Sequence, residues 1–118
     1  MRSIDELQRE TRVPVVIADQ LGAIRFVNER FQRDFGWREA DVIGRSLTTI
    51  IPPNLRDAHH LGFSRFLTTA KATLLDQPLR LKIVTPDGGE VEAEHVIVAE
   101  KKAGEWFFGA TITPLSAP

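Results

Sequence analysis

The chain has 118 residues, of which 42% are hydrophobic and 26% charged, and its 15 lysines and arginines nearly balance its 16 aspartates and glutamates. This length and composition predict one globular domain, and the balanced charge gives no support to nucleic-acid binding. The absence of cysteine excludes disulfides, thiolate metal sites and cysteine nucleophiles, and is compatible with a cytoplasmic location. No apolar run approaches the roughly 20 residues of a membrane span.

The N-terminal segment predicts a short helix followed by a hairpin. Ser3 and Glu6 have the spacing of a capping box, so we expect a helix over residues 3–11. Strands over 14–19 and 23–27 follow, joined by a turn. The first strand is apolar on both faces and should therefore be covered on both sides.

The second strand and the residues after it set two further expectations. Simple alternation puts Ile24 and Phe26 on the same face of the sheet. Asn28 is a typical helix N-cap, and Phe31 and Phe35 stand one helical turn apart behind it. Two brief helical turns follow, over 38–43 and 46–51.

The segment from Ile50 to Thr69 predicts one long helix, entered through a double proline. His59 lies near the centre of its apolar arc, while His60 turns toward the charged side. An interior imidazole is either a hydrogen-bonded packing residue or a ligand to something held in a cavity. The arc consists of Leu55, His59, Gly62, Phe63 and Phe66.

Three strands end the chain, over 77–85, 90–100 and 105–113, with a hairpin turn of sequence P-D-G-G between the first two. Their alternation predicts an inner wall and an outer face. The inner wall comprises Leu79, Leu81, Val91, Ala93, His95, Ile97, Phe108 and Ala110. On the outer face we expect Val96, Val98 and Phe107, or Trp106 and Phe108 in place of Phe107 if the alternation of the last strand is reversed. These residues need a cover, which either the N-terminal helix or a second subunit would supply.

Two strands, a run of short helices and a three-strand meander together predict an α+β domain. The five strands most simply form one antiparallel sheet, with the helices on its inner face and a pocket between them. No nucleophile has a histidine and an acid at a known catalytic spacing, and the sequence has no glycine-rich phosphate loop. We therefore expect a binding domain and not an enzyme.

The element order and four motifs resemble the PAS sensory domain. The motifs are I-A-D-Q-L-G-A-I-R-F-V-N-E-R-F, F-G-W-R-E-A-D-V-I-G-R-S-L, I-I-P-P-N-L-R-D-A-H and P-D-G-G-E-V-E-A-E. The resemblance implies a sheet in the order 2-1-5-4-3, a sensing cavity between the sheet and the long helix, and an N-terminal cap helix. It divides the chain into a cap helix over 1–12, a PAS domain over 13–113 and a linker over 114–118.

Within that family, the segment R-D-A-H-H-L-G-F-S-R-F resembles the long helix of oxygen-sensing haem PAS kinases. There a histidine ligates the haem iron, and the matching residue here is His59. Those sensors carry an arginine where this sequence has Leu79 and an aliphatic residue where it has His95. The acid that usually precedes the exit of a PAS domain is missing from residues 111–115.

The candidate binding residues do not decide whether the inner wall binds haem, binds another small molecule or is part of a filled core. His95 is either a second axial ligand or a hydrogen-bonding group for a small molecule, or it is half-exposed because the strand twists near its end. His59 and His95 together would give six-coordinate haem or a pH-sensitive pair, and His59 is a metal ligand only if haem binds. The apolar residues fit a ligand cavity or a filled core. The candidate residues are His59, His95, Phe63, Phe66, Leu79, Leu81, Ile97 and Phe108.

The sequence therefore predicts the sensor and dimerisation domain of a larger cytoplasmic signalling protein, such as a two-component system. A small molecule or cofactor between the long helix and the sheet would shift the domain between two packings, and a linked output domain would receive the change. A haem-based gas or redox sensor and a ligand-free dimerisation module are the alternatives. The expected partners are a second copy of the chain, through the N-terminal helix and outer sheet face, and the linked output domain.

Overall fold

The computed structural model describes residues 2–61 and 75–115. The strands are β1 Val15–Asp19, β2 Ile24–Val27, β3 Pro78–Val84, β4 Glu90–Lys102 and β5 Glu105–Pro114. The helices are α1 Ile4–Gln8, α2 Glu29–Phe35 and α3 Glu39–Val42; Leu47–Thr49 and Pro53–Leu55 form 3-10 turns, and residues 56–61 are helical. The strands form one antiparallel sheet in the order β2-β1-β5-β4-β3, which confirms the predicted α+β fold and strand order.

The sheet separates two apolar cores. Strand β1 contributes to both, with Val16 on the inner side and Val15 and Ile17 on the outer side, as predicted for a strand covered on both faces. The outer core is small and consists of Ile4, Leu7, Val15, Ile17 and Val98. The inner core consists of Val16, Ile24, Val27, Phe31, Phe35, Val42, Ile50, Ile83, Ala93 and Ile112.

Helix α1 is the cover of the outer face. The predicted capping box is present, since Ser3 and Glu6 bond each other's backbone N–H groups. The helix ends at Gln8, three residues earlier than predicted, and the carbonyl of Glu10 instead accepts a hydrogen bond from Asn28 at 3.0 Å. The N–H groups of Arg9 and Glu10 donate to the carbonyls three residues earlier, those of Glu6 and Leu7, both at 3.1 Å, so the last turn tightens and the α-helix ends.

The docking of α1 depends on Gly109 in β5. A Cβ at that position would lie 2.4 Å from Cδ1 of Leu7 and 3.1 Å from Cδ1 of Ile4, so a larger residue would force the Leu7 side chain to shift. The backbone N–H of Ile4 also donates to Glu100 at 2.9 Å, and Lys102 donates to Asp5 at 2.8 Å. Helix α1 is therefore fastened to β4 and β5 by packing and by two polar contacts.

Strand β2 corrects one prediction. Ile24 lies in the inner core, whereas Phe26 packs against the outer core opposite Ile17. The pairing of β1 with β2 shifts register between Ile17 and Ala18, so one residue of β2 is left without a partner. Such a bulge reverses the alternation, which is why the expectation that Ile24 and Phe26 share a face was wrong.

The free side of β2 is covered by the segment that follows α3. The N–H of Gly44 donates to Ile24 at 2.7 Å, and the N–H of Ile24 donates to Arg45 at 2.8 Å. The N–H of Leu47 donates to Gly22 at 2.8 Å. These bonds occupy polar backbone groups of Ile24 and of Gly22 just before it, which would otherwise lie at the edge of the sheet where β2 begins.

The predicted long helix begins as expected after the double proline. Pro53–Leu55 form a 3-10 turn, and residues 56–61 continue as helix. Residues 62–69 of that prediction lie outside the described residues, as do Phe63 and Phe66. In the part that is described, Leu55 and His59 are half-buried and His60 is exposed, in agreement with the predicted arc.

Candidate functional site

The inner surface of β3, β4 and β5 forms the wall on which most of the candidate binding residues lie. Leu79 pairs with His95, and His95 pairs with Ile112, so these three side chains share one row of the inner wall. Leu81 pairs with Ala93 in the adjacent row. The predicted alternation of β3, β4 and β5 is therefore correct.

The residues of the inner wall are only partly buried. Ala93 and Ile112 are buried, whereas Leu79, Leu81, Ile97, Phe108 and Ala110 are half-buried. Phe108 lies between alanines on both neighbouring strands, Ala18 and Ala99, so no bulky residue flanks its ring within those rows. Six of the eight residues predicted for the wall are therefore only half-buried, and an apolar surface that is open to a small molecule needs such access.

His95 is the polar residue of this wall. It is 7% exposed, and its Nδ1 lies 3.2 Å from the carbonyl oxygen of Ala93. Burial lowers the pKa of its imidazole, an effect that the contact with Ala93 partly offsets, so the neutral ring is favoured. The alternative that His95 is half-exposed near the end of a twisting strand is wrong, because β4 continues for seven more residues, to Lys102.

His59 lies on the helical segment 56–61 and is half-buried, with its Nδ1 atom buried. Its ring centroid lies 5.9 Å from that of His60, in an edge-on arrangement. Burial, and secondarily the charge of His60, lowers the pKa of His59. The neutral imidazole favoured by these effects is the form that packs among apolar groups or bonds a metal ion.

Five of the eight candidate residues thus share the inner wall, namely His95, Leu79, Leu81, Ile97 and Phe108. His59 lies on the helical segment, and Phe63 and Phe66 lie outside the described residues. Within residues 2–61 and 75–115, no group of three or more histidine, aspartate or glutamate side chains is arranged to hold a metal ion. No helix in that part of the chain has the length and apolar character needed to cross a membrane.

Asn28 has a larger role than the sequence indicated. Its Oδ1 accepts from Phe31 at 2.9 Å, the predicted N-cap bond, and also from Val15 at 3.0 Å. Its Nδ2 donates to Glu10 at 3.0 Å and to Val13 at 2.8 Å. The side chain therefore joins the N-terminal segment, β1 and α2. An N-cap pattern predicts the first of these bonds but gives no signal for the other three.

Comparison with known proteins agrees with this architecture. The family model of the PAS fold matches residues 2–108. This chain belongs to the PAS family, whose members are generally sensory domains. A relative in Azorhizobium caulinodans, described as an uncharacterized protein, is 32% identical over 103 residues, which are 86% of this chain and 14% of that protein. The chain thus spans about one seventh of that relative's length.

Solved structures show the same fold at low sequence identity. The PAS domain of an HTR-like protein from Haloarcula marismortui is 20% identical, with a TM-score of 0.66 over 95% of this chain and 88% of that one. The PAS domain of the Cronobacter turicensis quorum-sensing receptor RpfR, solved in complex with C12:0, is 21% identical, with a TM-score of 0.68 over 91% and 97%. The LOV domain of a blue-light activated histidine kinase from Erythrobacter litoralis is 13% identical, with a TM-score of 0.65 over 92% and 100%.

Proposed function

We propose that this PAS domain is a sensor that binds a small molecule against the inner wall of β3, β4 and β5. The observation that carries the proposal is a contrast between the two buried polar side chains of the described residues, Asn28 and His95. Asn28 makes four side-chain hydrogen bonds, which fill the capacity of its amide. His95 uses one ring nitrogen, on Ala93, and its Nε2 makes no hydrogen bond within the described part of the chain.

That contrast separates a structural polar group from one suited to a ligand. Among the described residues, Nε2 of His95 is not a fully buried atom, so it stays open to solvent or to a ligand. A ligand that covered Nε2 without bonding to it would leave an unsatisfied polar group, at a cost of about 1–3 kcal/mol. Small-molecule sites are mainly apolar, with a few polar groups that orient the ligand. The half-buried side chains of Leu79, Leu81, Ile97 and Phe108 around His95 have this composition.

The fold offers two routes by which binding would reach a linked output domain. Strand β5 carries Phe108 and Ile112 on the wall and leads directly to Pro114 and Leu115, whose N–H donates to Glu92 at 3.0 Å. Strand β4 carries His95 on its inner face and Val98 on its outer face, where α1 packs. A shift of either strand would move the C-terminal exit or the N-terminal helix.

The comparisons support a sensory role in general terms. One structural neighbour is described with C12:0 bound, and another belongs to a light-activated histidine kinase. Proteins of similar fold therefore respond to quite different stimuli, so the inner wall of this chain must be interpreted from its own residues.

A ligand screen by thermal shift tests the proposal. We expect apolar molecules of low molecular weight to raise the melting temperature of the wild-type domain and to perturb the imidazole resonances of His95. His95→Leu should lose most of that stabilisation, whereas His60→Ala, which alters an exposed histidine, should keep it. Equal stabilisation of the wild type and the His95→Leu variant by every compound would contradict the proposal.

Haem is the second candidate ligand, and the support for it is the half-buried, neutral imidazole of His59. Haem needs an axial ligand of this kind. An absorbance spectrum after expression with added haem tests it. His59→Ala should abolish the Soret band of the wild-type protein, and His60→Ala should retain it. An unchanged band in the His59→Ala variant, or no band in the wild type, would eliminate the haem hypothesis.

The third candidate is a dimerisation module that binds no ligand, in a cytoplasmic signalling protein. Its support in the sequence is the apolar outer face, at Val98 and Phe107. In this structure Ile4 and Leu7 of the same chain pack on that face, which reduces the need for a second subunit there. Sedimentation of the domain with and without residues 1–12 tests the hypothesis, because a dimer that forms through α1 should weaken or rearrange after truncation.

A further inference from the structure

The contact between His95 and Ala93 determines which nitrogen of the ring carries the proton. A carbonyl oxygen can only accept a hydrogen bond, so Nδ1, which lies 3.2 Å from that oxygen, must be the donor. A neutral imidazole carries one N–H, and its second nitrogen is then an acceptor. With the proton on Nδ1, the Nε2 atom of His95 presents a lone pair.

The surroundings of His95 favour this neutral form. Leu79 and Ile112, its partners on the neighbouring strands, are apolar, and so are Ala93 and Ile97, its same-face neighbours along β4. The next charged side chain with the same alternation on β4 is Lys101, six residues away, or about 20 Å along the strand. Burial in such an apolar setting lowers the pKa of the ring.

We propose that the Nε2 atom of His95 selects ligands that bring a hydrogen-bond donor, so that the inner wall binds apolar molecules carrying an O–H or N–H group, such as alcohols, phenols or indoles. This inference rests on the proposed small-molecule site and names the class of molecule that it takes. A carboxylate of the same size is disfavoured, because its oxygens are acceptors that would face the Nε2 lone pair. An ether is disfavoured because it leaves Nε2 unsatisfied.

The size of the selectivity follows from one hydrogen bond. Net contributions of single hydrogen bonds correspond to about a three- to tenfold change in affinity, and a buried acceptor left unpaired brings the effect to the upper end of that range. We therefore expect about tenfold tighter binding of an alcohol than of an ether with the same number of heavy atoms.

Matched probes test the inference on the wild-type domain without any mutation. Octan-1-ol, methyl heptyl ether and octanoate form one series, and indole and 1-methylindole form a second. Affinities are measured by calorimetry at about pH 8, where octanoate is fully ionised. The alcohol should bind about tenfold more tightly than the ether and than octanoate, and indole should exceed 1-methylindole by a similar factor.

The variants and one spectrum complete the test. His95→Leu replaces the imidazole with an apolar side chain of similar length, so this variant should bind octan-1-ol and methyl heptyl ether equally. His60→Ala should prefer the alcohol over the ether as strongly as the wild type does. The ¹⁵N shifts of the His95 ring in the free wild-type protein should show protonated Nδ1 and unprotonated Nε2, a readout independent of any ligand.

The possible results distinguish a failure of the proposed selectivity from a failure of the proposed binding site. Equal binding of both members of each pair, tighter binding of octanoate, or a proton on Nε2 would overturn the selectivity and leave the proposed site in place. Failure of all five probes to bind would overturn both. Tenfold discrimination that persists in His95→Leu would show that another group is responsible, and would overturn the role of Nε2.

Discussion

Replacing Gly109 with alanine tests how closely α1 is docked on the outer face of the sheet. The added methyl group would lie 2.4 Å from Cδ1 of Leu7, and Leu7 is 1% exposed, so its side chain must shift within the core and cannot simply turn out into solvent. Overpacking of this kind costs about 1–3 kcal/mol. The backbone of Gly109 is not in the left-handed region, so alanine also recovers about 0.4–1 kcal/mol through the unfolded state. At the midpoints of these two ranges, the net loss of unfolding free energy should be about 1.3 kcal/mol.

A double-mutant cycle with Leu7→Ala isolates the contact. Leu7→Ala alone creates a cavity and should cost about 2–3 kcal/mol. In the double variant the methyl group introduced at position 109 occupies part of that cavity, so the combined loss should be smaller than the sum by at least about 1 kcal/mol. Urea denaturation followed by circular dichroism measures each step.

Leu21→Ala provides the matched control for this cycle. Leu21 is 87% exposed, at the tip of the hairpin between β1 and β2, so its truncation should change stability little and should add to Gly109→Ala without coupling. Strict additivity of Leu7→Ala with Gly109→Ala, or a Gly109→Ala variant as stable as the wild type, would refute the argument that glycine is needed beneath α1.

Three further predictions concern other buried polar contacts. Asn28→Ala should lower the unfolding free energy by about 2–4 kcal/mol in urea denaturation, because it removes an N-cap and three more hydrogen bonds; a loss below about 1 kcal/mol would contradict this. Burial puts the folded-state pKa of His95 below the ordinary value near 6.5, so the unfolded chain binds more protons, and wild-type stability should fall as the pH drops below about 6.5. Urea midpoints from about pH 8 to pH 5 should fall less steeply in His95→Leu, and parallel curves would contradict the assignment. Trp37→Phe should cost about 1–2 kcal/mol in the same assay, because it removes the 2.8 Å bond from Nε1 to the carbonyl of Val84; unchanged stability would show that this bond contributes nothing.

The inner wall could be predicted from the sequence because β3, β4 and β5 pair without a break in register. Alternation alone therefore placed His95, Leu79 and Phe108 on the same side. The same reasoning failed in β2, where one bulged residue moved Phe26 to the opposite face from Ile24. A bulge depends on how two strands fit each other, and a single strand carries no signal for it.

Long-range contacts were only partly predictable from the sequence. Gly109 interrupts an apolar strand, which indicates a close approach by another part of the chain, but the partner of that approach, Leu7, lies at the other end of the sequence. The N-cap of Asn28 is local and was predicted, whereas its bonds to Glu10 and Val13 depend on the tertiary path of the N-terminal segment. Hydrogen bonds between residues close in sequence can be predicted from the local pattern, whereas bonds between residues far apart in sequence cannot.

The covered edge of β2 limits how copies of this domain can polymerise. Bonds from Gly44 and Leu47 already occupy backbone groups of Ile24 and Gly22 where that edge begins, so a foreign strand that paired there would have to displace them. At the opposite edge, β3 begins with a proline, Pro78, and carries the cations Arg80 and Lys82 on its outer face, features that disfavour the stacking of identical strands. Both edges of the sheet therefore carry features that disfavour the addition of a further strand.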